Sequence, residues 1–98
     1  MIYMIDIDGT ICNSSGGMYK SAHPYPLRIQ HVNKLYDEGH TIIYWTARGG
    51  NTGLDWSELT KHQLDTWGCK YHELRMKKPV YDVWVDDKAI NDKVFFPV

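Results

Sequence analysis

The sequence has little of what marks a secreted, membrane-spanning or nucleic-acid-binding protein. Cysteine occurs only twice, at Cys12 and Cys69, which is too few for a disulfide scaffold and forms no CxxC pair. No apolar run approaches the roughly 18 residues that a membrane span needs, and no basic-then-apolar signal segment opens the chain. We therefore expect a cytoplasmic protein in a reducing compartment, with no membrane partner.

An excess of charge of either sign is also absent. The 11 Lys and Arg side chains nearly balance 12 Asp and Glu, and the net charge of −1 argues against binding nucleic acid through bulk charge. The 98 residues, of which 43% are apolar, can fill one hydrophobic core but not two. The composition thus predicts a single domain over residues 1–98.

Hydrophobic patterns predict strands and helices that alternate along the chain. Apolar or β-branched runs predict strands at 1–7, 41–45 and 80–85, with a short one at 71–74. Helical spacing predicts two helices, one over about 26–38 and one that Asp55 caps and that ends near residue 67. The order β-α-β-α-β-β is typical of an α/β fold in which helices flank a parallel sheet.

Two segments rich in glycine, serine or proline predict loops. Residues 12–26 are expected to form a long loop or small flap, and residues 49–53 a mobile loop. The second loop lacks the GxGxxG spacing and does not follow the first strand, so the sequence gives no indication of dinucleotide binding.

Polar side chains follow three of the predicted strands. They are Asp6 and Asp8, Thr46 and Arg48, and Asp86 and Asp87. Because the carboxyl ends of parallel strands meet at one edge of a sheet, we expect these side chains to converge there. Each pair of carboxylates at about 4 Å repels by roughly 4 kcal/mol at an effective dielectric near 20, so a cation is expected among them. An all-oxygen set of ligands favours Mg²⁺ over Zn²⁺.

The same residues resemble the motifs of the haloacid dehalogenase (HAD) superfamily of phosphohydrolases. The segment Asp6-Ile7-Asp8-Gly9-Thr10 is similar to its DxDGT signature, and Thr46 is similar to its second-motif Thr or Ser. Lys78, which precedes Pro79, resembles the third-motif lysine, although Lys77 stands beside it. Asp86-Asp87 resembles the fourth, acidic motif. The resemblance implies a three-layer α/β/α Rossmann-like core.

The resemblance also implies a phosphoric monoester hydrolase. Asp6 would be the nucleophile that forms an aspartyl-phosphate, and Asp8 the general acid and then the base. Thr46 and Lys78 would bind the phosphoryl group as further catalytic residues. We also expect Gly9, Thr10 and Arg48 to contact the substrate, with backbone amides near Gly9 forming an anion-binding nest.

The metal site that the resemblance implies contains the acidic residues of the first and fourth motifs. Mg²⁺ would be held by the Asp6 carboxylate, the Asp8 backbone carbonyl and the Asp86 carboxylate, and Asp87 would hold a metal-bound water or a ligand.

The spacing of the motifs leaves no room for a cap domain over the site. About 16 residues separate the first motif from the first helix, and about 30 separate Thr46 from Lys78. We therefore expect a capless phosphatase, similar to the small sugar-phosphate phosphatases of surface-polysaccharide pathways. Its substrate would be a small phosphorylated metabolite, such as a sugar, polyol or amino-alcohol phosphate. We expect self-association into a homo-oligomer to cover the site; the alternative is an open site that accepts the terminal phosphate of a bulky molecule.

Other functions use similar residues. A phosphotransferase or phosphomutase would share the aspartyl-phosphate but would have to exclude water. A signalling module resembling a receiver domain carries its acidic pair after the first strand, whereas here the pair comes last. A binding subunit with a vestigial site would be expected to have lost a motif.

Overall fold

Strands and helices alternate along most of the chain. The protein is described by a computed structural model, which covers residues 1–14, 18–50 and 53–98. In chain order the elements are β1 (Ile2–Ile5), β2 (Cys12–Asn13), a short 3-10 helix (Tyr19–Ser21), β3 (His23–Pro24), α1 (Pro26–Asp37), β4 (Thr41–Trp45), α2 (Ser57–Thr66), β5 (Glu73–Arg75) and α3 (Asp92–Phe95). Residues 15–17 of the predicted flap and residues 51 and 52 of the predicted glycine loop lie outside the described part.

A parallel sheet of three strands forms the centre of the fold, in the order β1-β4-β5. In β1, Ile2 pairs with Thr41 and Ile5 pairs with Tyr44, so the two strands end at the same level. Because they are parallel, the residues that follow each strand emerge at one edge of the sheet. The prediction of an α/β fold with a parallel sheet is confirmed.

The helix after the flap forms where the sequence predicts it. α1 begins at Pro26, whose fixed φ suits the first helical turn, and buries Ile29 and Val32 against the sheet. It ends before Gly39, which takes the left-handed conformation with φ 97° and donates its amide to the carbonyl of Tyr36.

The second helix begins one residue later than predicted. α2 starts at Ser57, and Asp55 accepts hydrogen bonds from the Ser57 amide and hydroxyl instead of capping the helix itself. The short Asp55 side chain thus closes a turn before the helix, which is the alternative that aspartate offers near helix starts.

The core lies between the sheet and the helices. Its buried side chains include Ile5, Ile7, Ile11, Ile29, Val32, Ile42, Tyr44, Leu64 and Phe96. None of the helices within 1–14, 18–50 and 53–98 is long and apolar enough to cross a membrane.

The predicted strand at 80–85 is wrong. Residues 80–90 are irregular and exposed, with Val83 77% and Val85 91% accessible. In the described part of the chain, no strand pairs with β1 on the side away from β4. Alternating β-branched residues indicate that a segment suits a sheet, but a strand forms only where it finds a hydrogen-bonding partner.

The chain returns to the core after this segment. Arg28 of α1 donates hydrogen bonds to Asp92 of α3 at 2.7 Å and to the Thr10 carbonyl at 3.0 Å. Phe96 is buried beneath the Arg28 guanidinium, whose central carbon lies 4.8 Å from the ring centroid. These contacts hold the last helix against the turn that follows β1.

Candidate functional site

A cavity of about 300 Å³ opens where the chain leaves β1 and β4. It is lined by Asp6, Asp8, Ser14, Tyr19, Ala47, Arg48, Lys78, Pro79, Val80 and Tyr81. The parallel register of the two strands explains why residues forty positions apart, such as Asp8 and Arg48, meet here. The cavity contains carboxylates and cations together, which is the composition expected of a site for a polar, charged ligand.

Asp6 lies beside one cation and one hydroxyl. The Lys78 Nζ is 3.8 Å from the Asp6 Oδ1, and the Thr10 hydroxyl donates to Oδ2 at 3.2 Å. Burial raises the pKa of Asp6 above its usual value, although the Lys78 charge, the Ile7 amide and the Thr10 hydroxyl all act to lower it. The side chain is still 38% exposed, so a ligand in the cavity can reach this carboxylate.

Asp8 has quite different surroundings. Arg48 donates to both of its oxygens, from Nε to Oδ2 at 3.0 Å and from Nη2 to Oδ1 at 2.9 Å. The Ser14 hydroxyl donates to Oδ1 at 2.7 Å. Burial by itself would raise the pKa of Asp8, but the Arg48 and Ser14 hydrogen bonds and the Arg48 charge outweigh it and hold the pKa below its usual value.

The Cys12 thiol is a further contact of Asp8. Its Sγ lies 3.6 Å from the Asp8 Oδ1, and burial together with the Asp8 charge raises the pKa of Cys12 to about 12. The thiol is therefore protonated at neutral pH and acts as a weak donor, not as a nucleophile.

Arg48 was predicted to contact the substrate, but the structure surrounds its side chain with protein groups. The guanidinium has 0% side-chain exposure. In addition to Asp8, its Nη1 donates to the Gln63 Oε1 at 2.6 Å and to the Thr60 hydroxyl at 3.2 Å. Gly49, with φ 79°, turns the chain directly after it, and a Cβ there would collide with the backbone oxygen of Leu54. The hydrogen bonds of the guanidinium are thus with Asp8, Thr60 and Gln63, while Arg48 also lines the cavity, and its contact with a substrate stays a prediction.

Thr46 accepts hydrogen bonds from the backbone amides of both basic residues of the site, Arg48 and Lys78. Its side chain is buried, and its hydroxyl accepts a hydrogen bond from the Arg48 amide at 3.1 Å. Its carbonyl accepts from the Lys78 amide at 2.9 Å, and this bond brings Lys78 to the cavity. The Thr46 hydroxyl thus accepts a hydrogen bond that holds the turn after β4. This bond does not use its O–H donor, and the predicted contact with a phosphoryl oxygen stays a prediction.

The turn after Asp8 also uses its own backbone donors. The Gly9 amide donates to the Cys12 carbonyl at 2.8 Å, and the Thr10 amide donates to the Ile7 carbonyl at 3.0 Å. Because both amides are already paired, the anion-binding nest that was expected near Gly9 is not formed by them.

Of the two adjacent lysines, the structure places Lys78 and not Lys77 beside Asp6. The Lys78 side chain is 14% exposed, and its Nζ lies 5.5 Å and 5.6 Å from the ring centroids of Tyr81 and Trp84. Lys77 is exposed and takes φ 62°, which turns the chain so that Lys78 enters the cavity.

Asp86 and Asp87 are not brought to the site. Both are exposed and neither lines the cavity, and Asp86 accepts a hydrogen bond from the Lys88 amide at 2.7 Å. Within the three described ranges, no group of three or more His, Cys, Asp or Glu side chains could hold a metal ion. The predicted strand at 80–85 was to carry these acids to the sheet edge, and that strand does not form.

The sequence analysis missed several residues of the site. Ser14 and Tyr19 reach it because β2 and β3 pair and fold the flap back over the cavity. Thr60 and Gln63 reach it because one face of α2 packs against the turn that carries Arg48. Their only signal in the sequence is that two polar residues accompany Leu64 on the predicted helix, Thr60 one turn before it and Gln63 directly before it.

Comparison with known proteins supports the fold. No protein-family profile and no curated protein matches the chain. A crystal structure described as an MCSG target from Vibrio cholerae superposes with a TM-score of 0.85 and 24% identity, over 96% of this chain and 85% of that one. At this identity the likeness shows a shared fold alone. The two proteins therefore have the same α/β architecture.

Proposed function

We propose that this chain hydrolyses small phosphate monoesters through an aspartyl-phosphate on Asp6. The observation that carries the proposal is the Asp6 carboxylate itself, which is reachable from the cavity and lies 3.8 Å from the Lys78 ammonium. The similarity of residues 6–10 to the DxDGT signature supports the same reaction and a capless HAD-type α/β/α core.

In the first step, an Asp6 carboxylate oxygen forms a bond to phosphorus and the bond from phosphorus to the leaving oxygen breaks. Carboxylate and phosphate are both anionic, so their approach needs a nearby positive charge. Lys78 provides that charge, and the Thr10 hydroxyl holds the other Asp6 oxygen in place.

Asp8 is the residue proposed to transfer protons. It lines the same cavity and lies two positions from the nucleophile. It would protonate the leaving oxygen in the first step and take a proton from water in the second.

The magnesium site predicted from the sequence does not fit the residues as they are arranged. Of the four residues predicted to hold the ion, only Asp6 and Asp8 line the cavity. Asp86 and Asp87 lie on the exposed 80–90 segment and do not supply the ligands predicted of them at the cavity. No step of the proposed reaction is therefore assigned to a metal ion.

The proposal is tested by measuring phosphate release from a panel of monophosphates, including aryl, sugar, polyol, amino-alcohol and nucleotide esters. The wild type should release phosphate from at least one of them. Asp6→Asn should abolish release, whereas Asp37→Asn, an exposed acid paired with Lys70, serves as the matched control and should not. Phosphate release by a clean Asp6→Asn protein would contradict the role of Asp6.

A further inference from the structure

Arg48 contacts Asp8 through two parallel hydrogen bonds, from Nε to Oδ2 at 3.0 Å and from Nη2 to Oδ1 at 2.9 Å. A bidentate pair of this kind fixes the plane and direction of a carboxylate as well as its charge. Because the Arg48 side chain has 0% exposure, the pair is shielded on the arginine side.

The guanidinium is itself held from three directions. Thr60 and Gln63 on α2 accept hydrogen bonds from Nη1, and the Tyr19 ring centroid lies 4.7 Å from the guanidinium carbon. Gln63 also donates to the Tyr19 carbonyl at 2.6 Å, which joins the helix to the flap. Arg48 thus lies at the wall of the cavity with its guanidinium supported by the helix and the flap.

The two Asp8 oxygens differ in the number of hydrogen bonds that they accept. Oδ1 accepts from Arg48, from Ser14 at 2.7 Å and from the Cys12 thiol at 3.6 Å. In the described part of the chain, Oδ2 accepts only from the Arg48 Nε. A carboxylate oxygen has two lone pairs, so Oδ2 keeps one for a further partner.

We infer that Arg48 is a positioning residue, which acts through Asp8 by holding its carboxylate so that Oδ2 can take a proton from the attacking water. This inference rests on the proposed function. In that step the water oxygen forms a bond to phosphorus, and the bond from phosphorus to the Asp6 oxygen breaks, with its electron pair returning to Asp6. The proton passes to the Asp8 Oδ2 and from there to the leaving oxygen of the next ester, or to solvent where that oxygen leaves as an anion.

The test isolates this second step with 4-nitrophenyl phosphate as the probe. Its phenolate leaves without needing a proton, so the first step does not depend on Asp8 as an acid. Arg48→Lys keeps the charge but cannot form the fork. It should slow the second step at least about tenfold, giving a burst of nitrophenolate equal to the enzyme concentration.

The steady-state constants separate this role from two others. A slow second step lowers kcat and KM together and leaves kcat/KM within about twofold of the wild type. If Arg48 bound the phosphate group, Arg48→Lys would lower kcat/KM. If Arg48 were purely structural, the substitution would lower thermal stability without a burst. Either result overturns the inference. Arg75→Lys is the matched control, because Arg75 forms a similar fork with Glu73 on the surface and should change nothing.

Coupling to Asp8 is measured directly by combining Arg48→Lys with Asp8→Asn. If Arg48 acts through Asp8, the second substitution adds no further loss in the rate of aspartyl-phosphate hydrolysis. Additive losses would refute the inference. Thr60→Val removes one support of the guanidinium and should give the same burst more weakly, which keeps the test decisive if Arg48→Lys fails to fold.

The two proposals fail in different ways. A wild type that releases no phosphate from any monoester refutes the proposed function and the inference with it. An active wild type in which neither Arg48→Lys nor Thr60→Val slows the second step refutes the role of Arg48 alone.

Discussion

The substitution Asp8→Asn should lower the free energy of unfolding by about 3 kcal/mol, because it leaves the buried charge of Arg48 without its counterion. Removal of one partner from a buried ion pair costs about 3–5 kcal/mol. Here the arginine has 0% exposure and the aspartate 26%, and Thr60 and Gln63 still accept hydrogen bonds from the guanidinium. These remaining partners place the expected loss at the lower end of that range.

The same substitution at Asp6 should have the opposite sign. Burial raises the pKa of Asp6, which means that folding disfavours its ionised form at neutral pH. Asparagine removes that cost and the repulsion from Asp8, so Asp6→Asn should be at least as stable as the wild type.

Urea and thermal unfolding measure both differences. For a domain of this size, a loss of about 3 kcal/mol lowers Tm by about 12 °C or more. The folded pKa of Asp8 is below its unfolded value, so its stabilisation is present above about pH 4 and is lost as the pH falls through the folded pKa. The gap between wild type and Asp8→Asn should therefore close in acid. An Asp8→Asn protein that matches the wild type at neutral pH would refute the reasoning.

Three further expectations concern the lysines, the thiols and the metal. Lys78→Met should lower phosphate release by about 100-fold or more while Lys77→Met has little effect, and equal losses would contradict the placement of Lys78 beside Asp6. Burial raises the pKa of Cys12 to about 12 and of Cys69 to about 11, so neither thiol should react with a disulfide reagent near pH 8 until the protein unfolds; fast labelling of the native protein would disprove this. The sequence predicts that chelation stops phosphate release and that Mg²⁺ restores it, whereas the placement of Asp86 and Asp87 away from the cavity predicts release in excess chelator, so the chelation assay decides between the two.

Local sequence alone was enough to predict the elements that depend on neighbouring residues. Pro26 and Gly39 bound α1 because their backbone preferences act within one turn of the chain. Thr41–Trp45 forms the strand that its β-branched and aromatic residues predict. The parallel connection that follows places Asp6 and Asp8 at the same sheet edge as Arg48, and this could be inferred from the order of the elements.

Tertiary structure decided what each of those polar residues does there. The sequence pattern does not distinguish the surroundings of Asp6 from those of Asp8. In the structure Asp6 is open to the cavity, whereas Asp8 is bound by Arg48. The difference arises because the packing of α2 and the flap determines where the guanidinium is held. The apolar 80–85 segment has strand-like composition but is exposed, so Asp86 and Asp87 stay away from the cavity. Composition describes what a segment can bury, whereas strand pairing and ion pairing depend on partners that lie far away in the sequence.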